Sequence, residues 1–80
     1  MTRHLGIFER RIDGSDQGAY MTSLAERRAS AERASMHFWV FAHATDPYRY
    51  VEFVEGTDAT EVAMLAGVDQ DSLWRSVEVK

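Results

Sequence analysis

Residues 36–56 of the chain read MHFWVFAH (36–43), ATDP (44–47) and YRYVEFVEG (48–56), and this stretch decides the fold. Two runs of aromatic and β-branched residues flank a short cluster of turn-forming residues. The pattern is typical of a β-hairpin, because aromatic and β-branched side chains pack well on a pleated sheet, whereas Asp and Pro favour turns. We therefore predict two antiparallel strands joined by a four-residue loop at positions 44–47.

The loop length predicts which side chains share a face of the hairpin, because successive side chains of a strand point to opposite faces. A four-residue loop places His43 opposite Tyr48 and Trp39 opposite Glu52. One predicted face is an apolar floor suited to lie under helices: Met36, Phe38, Val40, Ala42, Val51 and Phe53, with Arg49 and Glu55 at its ends. The other, which we call the mixed face, combines aromatic and ionisable groups: His37, Trp39, Phe41, His43, Tyr48, Tyr50, Glu52 and Val54.

Length and composition limit the class of protein. The chain has 80 residues, a formal net charge of -4 and no cysteine. We therefore expect one domain over residues 1–80 without disulfides. The negative charge argues against nucleic acid or an anionic membrane as the main partner. No apolar run approaches the roughly 20 residues of a transmembrane helix, and the N-terminus lacks the apolar core of a signal peptide. A cytoplasmic location is expected.

The other segments complete an alternating order of elements. The predicted elements are a strand at 4–12, a helix at 17–34, the hairpin, a short helix after residue 58, and a strand at 73–79. Asp58 and Glu61 have the spacing of a capping box at the start of the second helix. Gly67 stands where a glycine commonly ends a helix. The order is the ferredoxin-like βαββαβ pattern, an α+β fold with a four-stranded antiparallel sheet.

Two helices cover only one face of such a sheet, so the mixed face is left open. Trp39, Phe41, Tyr48 and Tyr50 represent roughly 600–1000 Å² of side-chain surface, at about 150–250 Å² each. Monomeric proteins rarely expose contiguous apolar patches larger than a few hundred Å². We therefore predict that a second copy of the sheet covers this face.

The element order and the two hairpin strands, FWVF (38–41) and YVEFVE (50–55), resemble the dimeric α+β barrel superfamily. This group includes the antibiotic-biosynthesis-type monooxygenases and the stress-responsive barrel proteins. The resemblance implies that two ferredoxin-like subunits pack sheet to sheet as a homodimer and hold a ligand between them. For an enzyme it implies cofactor-free oxidation or isomerisation of an aromatic or polyketide-like substrate. Glu52 would then act as the base, with Tyr50 and His37 orienting the ligand.

The residues leave two interpretations of Glu52 open. Burial among aromatic rings disfavours a charged carboxylate, which is how a general base is tuned. Alternatively, Glu52 is a structural carboxylate paired with an arginine, with Arg10 or Arg75 as the partner, and we favour this interpretation because buried acids are usually paired. His37 and His43 lie about 20 Å apart along one strand and cannot share a metal ion within one subunit.

The sequence therefore predicts a small homodimeric α+β barrel that binds a small hydrophobic or aromatic molecule between its sheets. The predicted ligand-binding residues are Trp39, Phe41, His43, Tyr48 and Val54. No metal and no cofactor are expected. Two alternatives remain: a cofactor-free monooxygenase or isomerase, and a non-enzymatic interaction module whose mixed face is filled by the partner subunit.

Overall fold

A computed structural model describes residues 2–80 of the chain. Its elements in chain order are β1 (His4–Arg11), α1 (Gln17–Arg33), β2 (His37–Ala42), β3 (Arg49–Gly56), α2 (Ala59–Ala66) and β4 (Trp74–Arg75), with 3-10 turns at Gly14–Asp16 and Gln70–Ser72. The two helices and the first three strands lie where the sequence predicts them. Neither helix in the described part of the chain has the length and apolar character needed to cross a bilayer.

The four strands form one antiparallel sheet in the order β2-β3-β1-β4. This arrangement confirms the predicted α+β class and is compatible with the ferredoxin-like pattern. The sheet is not closed, so β2 and β4 are its two edges. Helix α1 contacts β2, whereas α2 contacts β1 and β3.

The ends of α2 follow the local rules that its sequence indicates. The Asp58 carboxylate accepts a hydrogen bond from the Glu61 backbone N–H at 3.1 Å, which satisfies one of the free amides of the first turn. Gly67 adopts a left-handed conformation, with φ of 75°, directly after the helix. The Val68 N–H then donates to the Ala63 carbonyl at 3.1 Å and closes the C-terminus.

The hairpin register differs from the prediction by one residue. Trp39 lies opposite Phe53 and Val40 opposite Glu52, whereas the four-residue loop predicted Trp39 opposite Glu52. The His43 N–H donates to the Arg49 carbonyl at 2.8 Å, so five residues, 44–48, form the loop. Because the side-chain period of a strand is two, this single extra loop residue moves every β3 side chain to the other face.

The corrected register redistributes the two faces. The residues that lie beneath the helices are Phe38, Val40 and Ala42 of β2, Tyr50, Glu52 and Val54 of β3, and Gly6, Phe8 and Arg10 of β1. The opposite surface, which we call the open face, carries His37, Trp39, Phe41, Arg49, Val51, Phe53, Glu55, Leu5, Ile7, Glu9, Arg11 and Trp74. The β2 residues were thus assigned correctly, and the β3 residues were assigned to the wrong faces.

The small core lies between α2, the end of α1 and the centre of the sheet. Val54 and Val62 are fully buried there, and Ala31 and Ala66 pack beside them. Gly6 permits the close approach of α2, because a Cβ atom at Gly6 would lie only 2.7 Å from the Cβ of Ala66. A side chain at that position would push α2 away from the sheet.

The last strand is much shorter than the predicted 73–79. Only Trp74 and Arg75 pair as a strand with β1, and the Ser76 N–H then donates to the Arg3 carbonyl at 2.8 Å. Beyond this contact Val77 and Val79 are 76% and 91% exposed. Residues 76–80, which were predicted in part as strand, therefore lie outside the sheet.

Candidate functional site

The buried carboxylate of Glu52 is the focus of a polar cluster between the sheet and α1. Glu52 is 1% exposed. Its Oε2 accepts hydrogen bonds from Arg10 Nε at 2.8 Å and from the Tyr20 hydroxyl at 2.6 Å. Its Oε1 lies 2.7 Å from an Arg27 guanidinium nitrogen. The Arg27 contact is an ion pair without the alignment of a hydrogen bond.

Three elements bring these groups together. Arg10 lies near the end of β1, on the side of the sheet that faces α1. Tyr20 and Arg27 are seven residues apart on α1, two helical turns, and so point from the same side of the helix. Arg27 also donates to the Leu65 carbonyl at 3.0 Å, just before the end of α2. The cluster therefore ties both helices to the sheet.

Two cationic side chains, Arg10 and Arg27, contact the buried carboxylate of Glu52. Two guanidinium groups compensate one carboxylate, as is usual for acids that are fully buried. Burial raises the pKa of the Tyr20 hydroxyl well above its ordinary value, and the hydrogen bond to Glu52 raises it further. Tyr20 therefore stays protonated and donates its hydrogen to Glu52 at all physiological pH values. Of the two arginines predicted as alternative partners of Glu52, Arg10 forms the pair and Arg75 does not; the second arginine in the cluster, Arg27, was not predicted.

The open face carries an apolar band across its middle. The side chains of this band are Ile7, Phe53, Trp39, Val51 and Phe41. Trp39 is 47% exposed and Phe41 is 57% exposed. Phe41 packs edge-to-face on Phe53 with ring centroids 5.7 Å apart, and His37 stacks on Trp39 at 5.4 Å. Trp74 adds a further half-exposed ring beside Leu5 at the β4 edge.

Charged side chains of both signs border this band. At the loop end Arg49 contacts Glu9 at 3.3 Å. At the other end Arg3 forms an ion pair with Glu55. The hydrogen bond from Arg3 holds the pKa of the Glu55 carboxyl below its ordinary value, in opposition to a smaller effect of burial. An apolar centre with a charged rim is the common layout of protein–protein interfaces.

The predicted site residues do not share one surface. His37, Trp39 and Phe41 lie on the open face, as predicted. Tyr50, Glu52 and Val54 lie beneath the helices instead, since the register differs by one residue. Trp39 and Glu52 are on opposite sides of the sheet and cannot line the same cavity.

The remaining predicted residues stabilise local structure. The Tyr50 hydroxyl donates to the Gln17 side-chain carbonyl at 2.5 Å, and its ring packs on Tyr20 at 4.9 Å. His43 Nδ1 accepts the Asp46 backbone N–H at 3.0 Å within the hairpin loop. The Tyr48 N–H donates to the Asp46 carboxylate at 3.0 Å, in the manner of an Asx turn. These contacts explain why the loop holds five residues.

Two members of the Glu52 cluster were not identified from the sequence. They are Tyr20 and Arg27, both on α1. Their spacing of seven residues was the available signal, because it places both on one side of a helix. The open-face roles of Ile7, Val51, Phe53 and Trp74 were also missed.

Comparison of the chain with protein-family models, with curated proteins and with solved structures finds no match.

Proposed function

We propose that this chain is a self-association module, in which the open face of one sheet packs against the open face of a second copy. The observation that carries the proposal is the apolar band around Trp39 and Phe41, which lies uncovered at the centre of a charged rim. Both helices are on the other side of the sheet, where they enclose the core. No segment of residues 2–80 is therefore positioned to cover the band.

The size of the exposed surface favours a partner of similar extent. Trp39, Phe41 and Trp74 are each about half exposed, so their rings alone offer on the order of 300 Å² of apolar area at about 150–250 Å² per side chain. A patch of this size is near the upper end of what monomers expose. A stable interface uses about 800 Å² of each partner, so most of the open face has to take part.

The charges on the rim suit a second copy of the same chain. Glu9 and Glu55 lie on the same face as Arg11 and Arg49. A twofold arrangement of two such faces can therefore bring opposite charges together, whereas a strongly acidic or strongly basic partner meets repulsion from half of the rim. Self-complementarity of this kind is what an isologous dimer requires.

The Glu52 cluster supports an interaction module more than a cofactor-free enzyme. Both directed hydrogen bonds to the carboxylate come from the protein, and Glu52 lies on the covered side of the sheet. A general base needs an oxygen within reach of its substrate. Catalysis by Glu52 therefore stays a prediction, and the position of its buried carboxylate does not favour it.

Binding of a small aromatic molecule between the two sheets is the second candidate function. The parallel rings of His37 and Trp39, with centroids 5.4 Å apart, favour it, because a planar aromatic ligand can add to such a stack. Both tryptophans of the chain, Trp39 and Trp74, lie on the open face. Their fluorescence therefore reports such a ligand directly when aromatic compounds are titrated into the protein.

The self-association proposal is tested by placing a charge in the apolar band. We expect wild-type protein to form dimers at micromolar concentration in sedimentation equilibrium. Phe41→Lys should weaken the dimer at least tenfold, about 1.4 kcal/mol or more, because it buries an unpaired charge at the interface. The matched control is Met64→Lys, since Met64 is a 78% exposed apolar residue on α2, away from the open face.

Two results contradict the proposal. One is a wild-type chain that sediments as a 9.1 kDa monomer at micromolar concentration. The other is a dimer that Met64→Lys disrupts as strongly as Phe41→Lys, which indicates association through the helical side. Circular dichroism of each variant shows whether the fold is retained.

A further inference from the structure

We infer that β2 pairs antiparallel with the β2 strand of a second copy, so that two sheets join edge to edge into one continuous sheet with four strands from each copy. The inference goes beyond the proposed function, because it uses the edge of the sheet and leaves the open faces free to pack on one another. A chain that makes both contacts forms a tetramer, in which two joined sheets face each other.

The first observation is the free edge of β2. The His43 N–H bonds to β3, and in an antiparallel ladder every second residue directs its backbone groups to the same side. The backbone groups of the intervening residues, Phe38, Val40 and Ala42, therefore point away from β3. No strand within residues 2–80 pairs with them there. Such an edge is a ready template for another strand.

The available backbone groups decide the register of this pairing. All three outward-pointing residues are used when Val40 lies on a twofold axis normal to the sheet, opposite the second copy's Val40. Phe38 then lies opposite the second copy's Ala42, and each facing pair exchanges two backbone hydrogen bonds. A shift towards the start of the strand would need the Met36 N–H, which already donates to the Ala31 carbonyl at 2.8 Å.

The side chains of β2 fit this register. On the open face Trp39, 47% exposed, lies opposite the second copy's Phe41, 57% exposed, and aromatic pairs of this kind stabilise neighbouring strands. On the helix side the large Phe38 faces the small Ala42, and Val40 faces its own copy. The aromatic band of one copy thereby continues into that of the other.

The second observation is an apolar stripe on α1 beside the same edge. Its residues recur at the spacing that places them on one side of a helix: Met21, Leu24, Ala25 and Arg28. Met21 is 49% exposed. A groove of about 290 Å³ lies between this stripe and the strand, lined by Leu24, Ala25, Arg28, Phe38 and Val40. A single extended peptide on the edge leaves the stripe uncovered, whereas a second copy brings a helix of its own to cover it.

The position of α1 leaves room for the helix of the second copy. Helix α1 contacts β2, and its Tyr20 and Arg27 side chains reach Glu52 on β3, so the helix lies over both strands. A helix centred between the two strands is about one strand spacing, roughly 4.8 Å, from the twofold axis. The two α1 helices are then about 10 Å apart, and packed helices are usually about 8–10 Å apart.

The inference is tested by placing like charges where the two helices meet. Ala25 lines the same groove as Val40, so the Ala25 residues of the two copies lie close to the axis. We expect wild-type chains to associate beyond the dimer in sedimentation equilibrium as the concentration rises. Ala25→Glu should weaken this step at least tenfold, because two carboxylates then face each other across the axis.

The matched control is Ala19→Glu, which should change the same dissociation constant less than threefold. Ala19 is also exposed on α1, but at 100° per residue it lies on the side of the helix opposite the stripe. Both positions are exposed and glutamate is a good helix former, so the fold is retained in each variant.

Amide hydrogen exchange then reports the strand pairing itself. The N–H groups of Phe38, Val40 and Ala42 point to the free edge of the single subunit and should exchange rapidly there. In the assembled wild type they should exchange at least tenfold more slowly than in Ala25→Glu at the same concentration. A face-to-face contact alone leaves these three amides unpaired.

The outcomes separate this inference from the proposed function. Wild-type chains that stop at a dimer, in which Ala25→Glu changes nothing and the three amides exchange rapidly, overturn the edge pairing and leave the face-to-face dimer intact. A tetramer that Ala25→Glu reduces to dimers, with slow exchange of the three amides in wild type, supports the edge pairing. A dimer that Ala25→Glu dissociates to monomers supports it too, but contradicts the face-to-face contact. A wild-type monomer at all concentrations overturns both.

Discussion

Replacing Glu52 by Gln should destabilise this protein severely, although the side chain keeps its shape. The carboxylate is 1% exposed and holds Arg10, Arg27 and Tyr20 in one cluster. Removal of its charge leaves two guanidinium groups next to a neutral amide. The amide nitrogen of the new glutamine side chain is itself a hydrogen-bond donor, and it would face at least one of the groups that now donate to Glu52. The mutation therefore leaves buried positive charge without compensation.

The magnitude follows from the burial of the partners. Breaking a buried ion pair by removal of one partner costs about 3–5 kcal/mol. Arg10 is 35% exposed and regains some hydration, whereas Arg27 is only 19% exposed, so the lower part of this range applies. At about 0.05–0.15 kcal/mol per residue the whole domain has about 4–12 kcal/mol of stability. Each kcal/mol shifts the Tm of so small a domain by about 4–8 °C, so a decrease of about 12 °C or more is expected.

Thermal melts followed by far-UV circular dichroism at pH 7 measure this effect, with all proteins at the same concentration. The matched control is Glu55→Gln, three residues along the same strand from Glu52 and paired with Arg3 at the more exposed rim of the open face. The Arg3–Glu55 pair is partly exposed, at 36% for Arg3 and 21% for Glu55, so this control should lose clearly less stability than Glu52→Gln. A Glu52→Gln protein that melts within a few degrees of wild type would refute the reasoning, because the cluster would then contribute no net stability.

Two further predictions test the corrected register and the state of Tyr20. Val40→Asp should unfold the protein or lower its Tm by more than Glu52→Gln does. Val40 lies directly opposite Glu52, so the two carboxylates would compete for the same arginines. A Tm near that of wild type in thermal melts would show that Val40 is not beneath the helices. The pKa of the Tyr20 hydroxyl is higher in the folded protein than in the unfolded chain, where it is about 10. The stabilisation from this pKa difference is therefore complete below about pH 10 and is lost as the pH rises above that value. Urea unfolding at pH 7, 10 and 11 should therefore show a stability loss in wild type that Tyr20→Phe lacks, and equal alkaline losses in the two proteins would contradict the assignment.

The elements of the fold could be predicted from local signals because those signals act within a few residues. The Asp58 cap, the Gly67 terminus and the limits of α1 depend only on neighbouring residues, and each appears as predicted. The length of β4 could not be predicted, since the pattern of residues 73–79 fits a strand whether or not a neighbouring strand is available. Pairing is a property of the sheet and not of the segment.

The register of the hairpin could not be decided from the sequence, because either set of alternating β3 side chains could form the buried face. Tyr50 and Val54 on one side, and Val51 and Phe53 on the other, are equally apolar. The deciding contacts are loop hydrogen bonds to Asp46 and His43, which add Tyr48 to the loop. The prediction that Glu52 pairs with an arginine, either Arg10 or Arg75, was correct for Arg10 despite the wrong face, because a buried carboxylate needs a cationic partner on either side of the sheet.

Concentration-dependent quenching of tryptophan fluorescence tests the central claim most directly. Trp39 and Trp74 are the only tryptophans, and both lie on the open face. If two copies pack through this face, acrylamide should quench both rings weakly at concentrations where sedimentation shows a dimer, and strongly after dilution to the monomer. Quenching that stays equally strong in the dimer would contradict the account, because the association would then use a different surface.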